Sequence, residues 1–220
     1  MAQFSSDTSG RSLLGWVKAL VVLTLGLIVA HLGITLFLLT DLGSDPFTVM
    51  IQGLARVSGL TVGTMHVIVS CLLMGLMLLF TQGYVKPGTV ICAFCGGPII
   101  DCFSWLLGPY LSGDSPMALR LCGVVLGCVI LALGMSVVIN SDAGTGPNDL
   151  VAMILTDKLG RFQFRWVRMG CDLCFLAVGF ALGGVVGVGT LVAAFLVGPC
   201  AQLWLPVTKG WIPSYDKEAQ

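Results

Sequence analysis

The stretch TDLGSDPFTVMI, Thr40–Ile51, returns later in the chain as SDAGTGPNDLVA, Ser141–Ala152, with Asp-x-Gly-x-x-Pro held in common. The offset is 101 residues, and the same shift applied without a gap keeps matching. Gly26 falls on Gly127, Gly33 on Gly134, Gly59 on Gly160 and Gly83 on Gly184. Gly88-Thr89 falls on Gly189-Thr190, Ala93-Phe94 on Ala194-Phe195, and Gly97-Pro98 on Gly198-Pro199. A fixed register across Gly, Pro and Asp is the mark of an internal duplication, which settles the architecture before any single element is assigned.

Working outward from the motif, each copy predicts the same series. A long helix (17–40, then 118–140) ends at the Asp-x-Gly turn. A short helix (46–58, then 147–159) opens on Pro, which suits the first helical position, and stops at Gly59 or Gly160. Two further long helices follow (61–81 and 88–109, then 162–183 and 189–207). At ~1.5 Å per residue the short segments cannot cross a bilayer. The long ones can: no Lys, Arg, Asp or Glu occurs in 19–40, 121–141 or 173–208, and about 20 apolar residues span the hydrocarbon. The chain is 56% hydrophobic and only 10% charged, with mean hydropathy +0.98. A soluble domain carries about 25% charged residues.

The predicted fold is therefore an all-α polytopic membrane protein. Six transmembrane helices form two inverted three-helix repeats, each with a short interfacial or re-entrant helix after its first span. The divisions are a cytoplasmic tail (1–16), a first copy (17–111), an external loop (112–117), a second copy (118–207) and a cytoplasmic tail (208–220). Three spans per copy is odd, so the second copy enters from the opposite side. With both termini cytoplasmic, Arg11, Lys18, Lys86, Lys158, Arg161, Arg165, Arg168, Lys209 and Lys217 lie inside, and only Arg56 and Arg120 lie outside. That split follows the positive-inside rule for an inner (cytoplasmic) membrane protein.

Inverted repeats are the architecture of secondary transporters, whose sites lie near the midplane on helices interrupted at matching positions. Gly97-Pro98 and Gly198-Pro199 are expected to interrupt the third and sixth spans. Asp172 lies about ten residues into the fifth span with Arg168 four residues earlier on the same face. It is either that residue's counter-ion or a protonatable coupling carboxylate, because a charge inside the bilayer is costly. Asp101 follows the first Gly-Pro and pairs by the repeat with Gln202; it lines a cavity or sits solvated near the outer interface. Asp41, Gly43, Pro46, Asp142, Gly144 and Pro147 form the turn motif itself. If the short helices dip into the membrane, Thr48, Asn148 and Asp149 line an entrance; if they lie flat, the motif is scaffold. His31 and His66 are expected to bond neighbouring backbone carbonyls.

Other chemistries find no support. The nine cysteines fall inside apolar segments, where a thiol behaves as a small hydrophobe. Cys92-x-x-Cys95 and Cys171-x-x-Cys174 have metal spacing, but neither pair is repeated, and no metal or cofactor is expected. No enzyme signature is present, and zero net charge leaves no footprint for nucleic acid. The expected partners are the lipid bilayer and a small solute, with glycine faces at Gly26/Gly33 and Gly127/Gly134 that permit close helix contact, including a homodimer.

The Asp-Leu-Gly-Ser-Asp-Pro-Phe and Ala-Gly-Thr-Gly-Pro-Asn-Asp stretches, with Gly-Pro in the third and sixth spans, resemble the bacterial YczE/YitT-like membrane protein family. The likeness runs from Val17 to Pro206 and is closer to the short YczE branch, since the chain has no soluble C-terminal domain. It implies a compact polytopic bacterial membrane protein. The expected function, drawn from the repeat, is a permease moving a small solute by alternating access, with proton coupling through Asp172. The alternatives are a passive channel and a non-transporting scaffold or regulator.

Overall fold

The computed structural model describes residues 11–80 and 84–212. Gly83, Lys217 and the side chain of Arg165 lie outside the described set. Eight helices are described: α1 (Leu13–Thr40), α2 (Pro46–Ser58), α3 (Val62–Phe80), α4 (Pro87–Leu107), α5 (Met117–Ser141), α6 (Pro147–Leu159), α7 (Phe164–Ala181) and α8 (Val188–Trp211). Adding 101 to the bounds of α1–α4 reproduces those of α5–α8 to within a few residues.

The local chemistry repeats as well. Asp41 and Asp142 both close the preceding helix in the left-handed conformation, each with φ 50°. Gly43 and Gly144 follow with φ 102° and 147°, values a side chain rarely adopts. Each of these glycines seats on the Gly-Thr pair that opens the last helix of the other copy, and a Cβ there would collide with Thr190 or Thr89. The backbone bonds are exchanged in the same way: Gly88 N–H donates to Ala143 O at 2.9 Å, and Gly189 N–H donates to Leu42 O at 2.8 Å. The short helices clasp the opposite copy too. Arg56 donates to Gly183 O at 2.7 Å, while Tyr84 donates to Asp157 at 2.8 Å, and that bond holds the Tyr84 phenol above its usual pKa.

At the centre, the equivalent helices α1 and α5 pack along their length and run antiparallel. A Cβ on Gly26 would meet Val138 N, one on Gly33 would meet Leu131 N, and one on Gly134 would meet Ala30. The glycine faces that suggested a homodimer are thus occupied within the chain, by this crossing. Arg11, before α1, pairs with Asp142 at the end of α5 at 3.1 Å, and Lys86 joins it at 2.7 Å.

Two features depart from the sequence reading. Neither Gly-Pro interrupts its helix: α4 runs through Pro98 and α8 through Pro199 and Pro206. Proline removes one i→i−4 bond, and the surrounding turns tolerate that single loss. Secondly, among the described residues five helices (α1, α3, α4, α5 and α8) are long and apolar enough to cross a membrane; α7 carries Arg165, Arg168 and Asp172 within 18 residues. Their outward faces are apolar, with Leu72, Leu79, Trp105, Phe195 and Leu203 exposed. Such a coat suits hydrocarbon rather than water.

The copies differ in how α3 and α7 are seated. α3 packs on α4, with Gly97 against the Gly63 carbonyl, whereas α7 packs on α2 and α6 and makes no comparable contact with α8. The residue equivalent to Gly63 is Phe164, and no atom lies within 4 Å of a Cβ built on Gly198.

Candidate functional site

The parted α7–α8 seam opens on a cavity of about 880 Å³, within the usual range for a small-molecule site. Both short helices aim their N-termini at it: Asp45, Pro46, Phe47 and Thr48 from α2, and Thr145 through Asp149 from α6. Leu27, Leu131, Met135, Val138 and Leu173 are among its apolar walls.

Asp45 is the N-cap of α2. Its carboxylate accepts from Thr48 N–H at 3.2 Å and from the Ser44 hydroxyl at 3.2 Å. Such a cap satisfies one of the unpaired N–H groups of a first turn. At the other end, Asp149 lies in the first turn of α6. It accepts from Asn148 Nδ2 at 3.0 Å and from the Arg168 guanidinium. Arg168 Nε also donates to both Asp172 oxygens, at 3.2 and 3.1 Å. One guanidinium thus ties two carboxylates on two helices, with Arg168, Asp149 and Asp172 side chains 28%, 26% and 30% exposed.

Deeper in, His31 from α1 and His66 from α3 meet edge to face with ring centroids 5.3 Å apart. Phe47 lies against His66 at 5.7 Å and against Phe175 at 5.4 Å. His31 is 6% exposed and His66 is 7% exposed. His31 Nδ1 lies 2.9 Å from Leu27 O; a carbonyl only accepts, so Nδ1 carries the hydrogen. His31 Nε2, His66 Nδ1, Thr48 Oγ1 and Thr145 Oγ1 are buried without a protein partner. Buried polar atoms in that state are uncommon, and each needs an explanation. Gly96 leaves the room: a Cβ there would come to 2.6 Å of His31 Nε2 and 2.8 Å of His66 Cε1.

Of the residues singled out from the sequence, Asp172, Asn148, Asp149, Thr48, Pro46, Pro147 and Gly198 line this cavity. Asp101, Gly97, Pro98 and Pro199 do not. Asp101 instead caps the start of α3, accepting from Gly63 N–H at 2.9 Å and from Thr61 Oγ1 at 2.6 Å. Gly97 is a packing point, and Asp41, Gly43, Asp142 and Gly144 form the turns described above. We predict that Asp101→Ala lowers stability by about 1 kcal/mol, the typical cost of a lost N-cap, and leaves ligand binding unchanged; thermal unfolding with parallel binding measurements checks both. Sequence reasoning missed Asp45, because its equivalent is Gly146 and the repeat gives it no weight. It also left His31 and His66 as isolated histidines, since 35 residues separate two rings that the fold brings together. His31 does bond a backbone carbonyl; its other nitrogen is the informative one.

A multi-helix, apolar-coated fold around a cavity with partly buried charges defines a polytopic membrane protein. The chain belongs to a family of unknown function (DUF6198), whose model matches residues 17–206. It is 32% identical over 182 residues to the uncharacterized membrane protein YczE of Bacillus subtilis (strain 168), covering 82% of each chain. It is 26% identical over 185 residues to the uncharacterized protein YyaS of the same organism, covering 84% of this chain and 91% of that one. An uncharacterized protein of Haemophilus influenzae is 26% identical over 194 residues, with 86% and 84% covered. No solved structure matches. The family is thus YczE-like, as the motifs implied.

Proposed function

We propose that this chain is a small-solute permease of the bacterial cytoplasmic membrane, working by alternating access and coupled to protons through Asp172. The carrying observation is the cavity, which is fed by the N-termini of α2 and α6, equivalent elements of the two copies. In transporters with inverted repeats, half-helix ends of this kind meet at the substrate site. In this reading α7 is the fifth of six spans, with Arg168 and Asp172 turned to the cavity rather than to lipid, and the antiparallel α1–α5 crossing supports opposite orientations for the two copies. The packed α3–α4 seam and the parted α7–α8 seam correspond to one closed and one open side. Nine of the eleven basic residues then lie on the cytoplasmic side together with both termini. The chain is a carrier in this scheme and performs no covalent chemistry.

Two measurements test it. Single cysteines at Asp114, Arg161 and Val186, in a background lacking the native cysteines, are expected to label from outside, inside and outside respectively; Arg161 and Val186 on the same side removes α7 as a span. In proteoliposomes under an imposed ΔpH, screened against a metabolite panel, at least one solute should accumulate above its equilibrium level. Asp172→Asn should abolish that accumulation while preserving exchange of labelled for unlabelled solute at saturating concentration. Vesicles no faster than protein-free ones for every solute would refute the carrier. Accumulation untouched in Asp172→Asn would refute the coupling role.

A further inference from the structure

The charges on the cavity wall are three carboxylates, Asp45, Asp149 and Asp172, against one guanidinium, Arg168. Helix N-termini normally draw anions, and two of them point here. Both already hold a carboxylate of the chain itself, Asp45 capping α2 and Asp149 in the first turn of α6. With roughly half a positive charge at each helix end, the wall retains about one uncompensated negative charge. An anion entering would meet that surplus; a single cation would neutralise it.

An independent observation points the same way. His31 is more than nine-tenths buried and lines the cavity, and Nε2 has no partner. Because Nδ1 holds the hydrogen for Leu27 O, the neutral ring offers Nε2 only as an acceptor. Asp45 and Asp172 are acceptors as well. Those acceptors call for a ligand rich in donors, and Leu27, Leu131 and Met135 give it apolar wall beside the polar Thr48, His66, Thr145 and Asn148.

We propose that the cavity binds a protonated organic amine, a monocation whose ammonium N–H groups are taken by Asp45, Asp172 and His31 Nε2 and whose apolar body lies along Leu27, Leu131 and Met135. As a statement of what is carried, this rests on the permease reading. As a statement of what binds, it can be measured apart from transport.

The test uses three matched probes, 2-phenylethylammonium, 2-phenylethanol and 3-phenylpropionate, titrated calorimetrically into the purified full-length protein at neutral pH. The ammonium should bind at least tenfold more tightly than either isostere. Asp45→Asn and Asp172→Asn should each weaken it at least tenfold and erase the preference. Asn is as good an N-cap as Asp, so α2 survives the first substitution, and the second keeps side-chain size. His31→Leu should weaken the ammonium several-fold, and His31→Gln, which restores an acceptor, should recover part of the loss. Tightest binding of the carboxylate, equal binding of all three, or no binding of any overturns the proposal. So does an unchanged preference in either Asp variant. Ammonium binding in detergent without flux in vesicles would uphold the site and defeat the permease; flux of 3-phenylpropionate alone would do the reverse.

Discussion

Arg168→Leu is expected to lower unfolding stability in detergent by about 3 kcal/mol, and adding Asp149→Asn and Asp172→Asn to the same chain should recover most of it. Arg168 is the shared partner of both carboxylates. Without it, two like charges face each other in a partly buried site with no counter-ion. Removing one member of a buried ion pair costs about 3–5 kcal/mol, mostly through the charge left behind. Side chains about a quarter to a third exposed place this case at the low end. Neutralising the orphans removes that penalty, so the triple variant separates stranded charge from lost packing. Melting curves of the single and triple variants decide it: a single variant within about 0.5 kcal/mol of wild type, the scatter of an ordinary surface change, would mean that the bridge holds nothing together.

Gly134→Val should be still more damaging, and Gly75→Val should be tolerated. A Cβ on Gly134 would strike the backbone of Ala30, while nothing lies within 4 Å of one on Gly75. Overpacking against side chains typically costs about 1–3 kcal/mol. Backbone cannot swing aside as a rotamer can, so about 3 kcal/mol is the expected minimum at residue 134. The readout is the monodisperse fraction on size-exclusion chromatography together with the melting temperature. Gly33→Val, which meets Leu131 and Gly127 backbone, should repeat the result from the other helix.

The duplication was legible because it is written in residues with backbone consequences. Asp41 and Asp142 in left-handed turns, Pro46 and Pro147 at first helical positions, and Gly59 and Gly160 past the ends are local features. Local rules suffice to place them. Gly88-Thr89 and Gly189-Thr190 were visible as matches, but their purpose was not, since each pair serves the turn of the opposite copy. The cavity was legible only in part. Asp172, Asn148 and Asp149 announced themselves as polar groups in apolar surroundings. Asp45 did not, because it looks like a turn residue and has no counterpart in the second copy. Gly97 and Gly198 were read as equivalents, yet one is buried in a helix seam and the other faces open space. That difference depends on how far α7 stands from α8, a tertiary distance that no single position encodes.

The α1–α5 crossing also constrains how the molecule comes into being. As the chain is synthesised, α1 enters the bilayer some hundred residues ahead of the helix that fills its glycine stripe. Until α5 is inserted, Gly26, Gly33 and the small surface around them face lipid, and the Asp41–Gly43 turn waits for Gly187–Thr190, near the end of the chain. The early half is therefore an intermediate with its central interface unformed, and α8, made long after α1, locks the first turn into place.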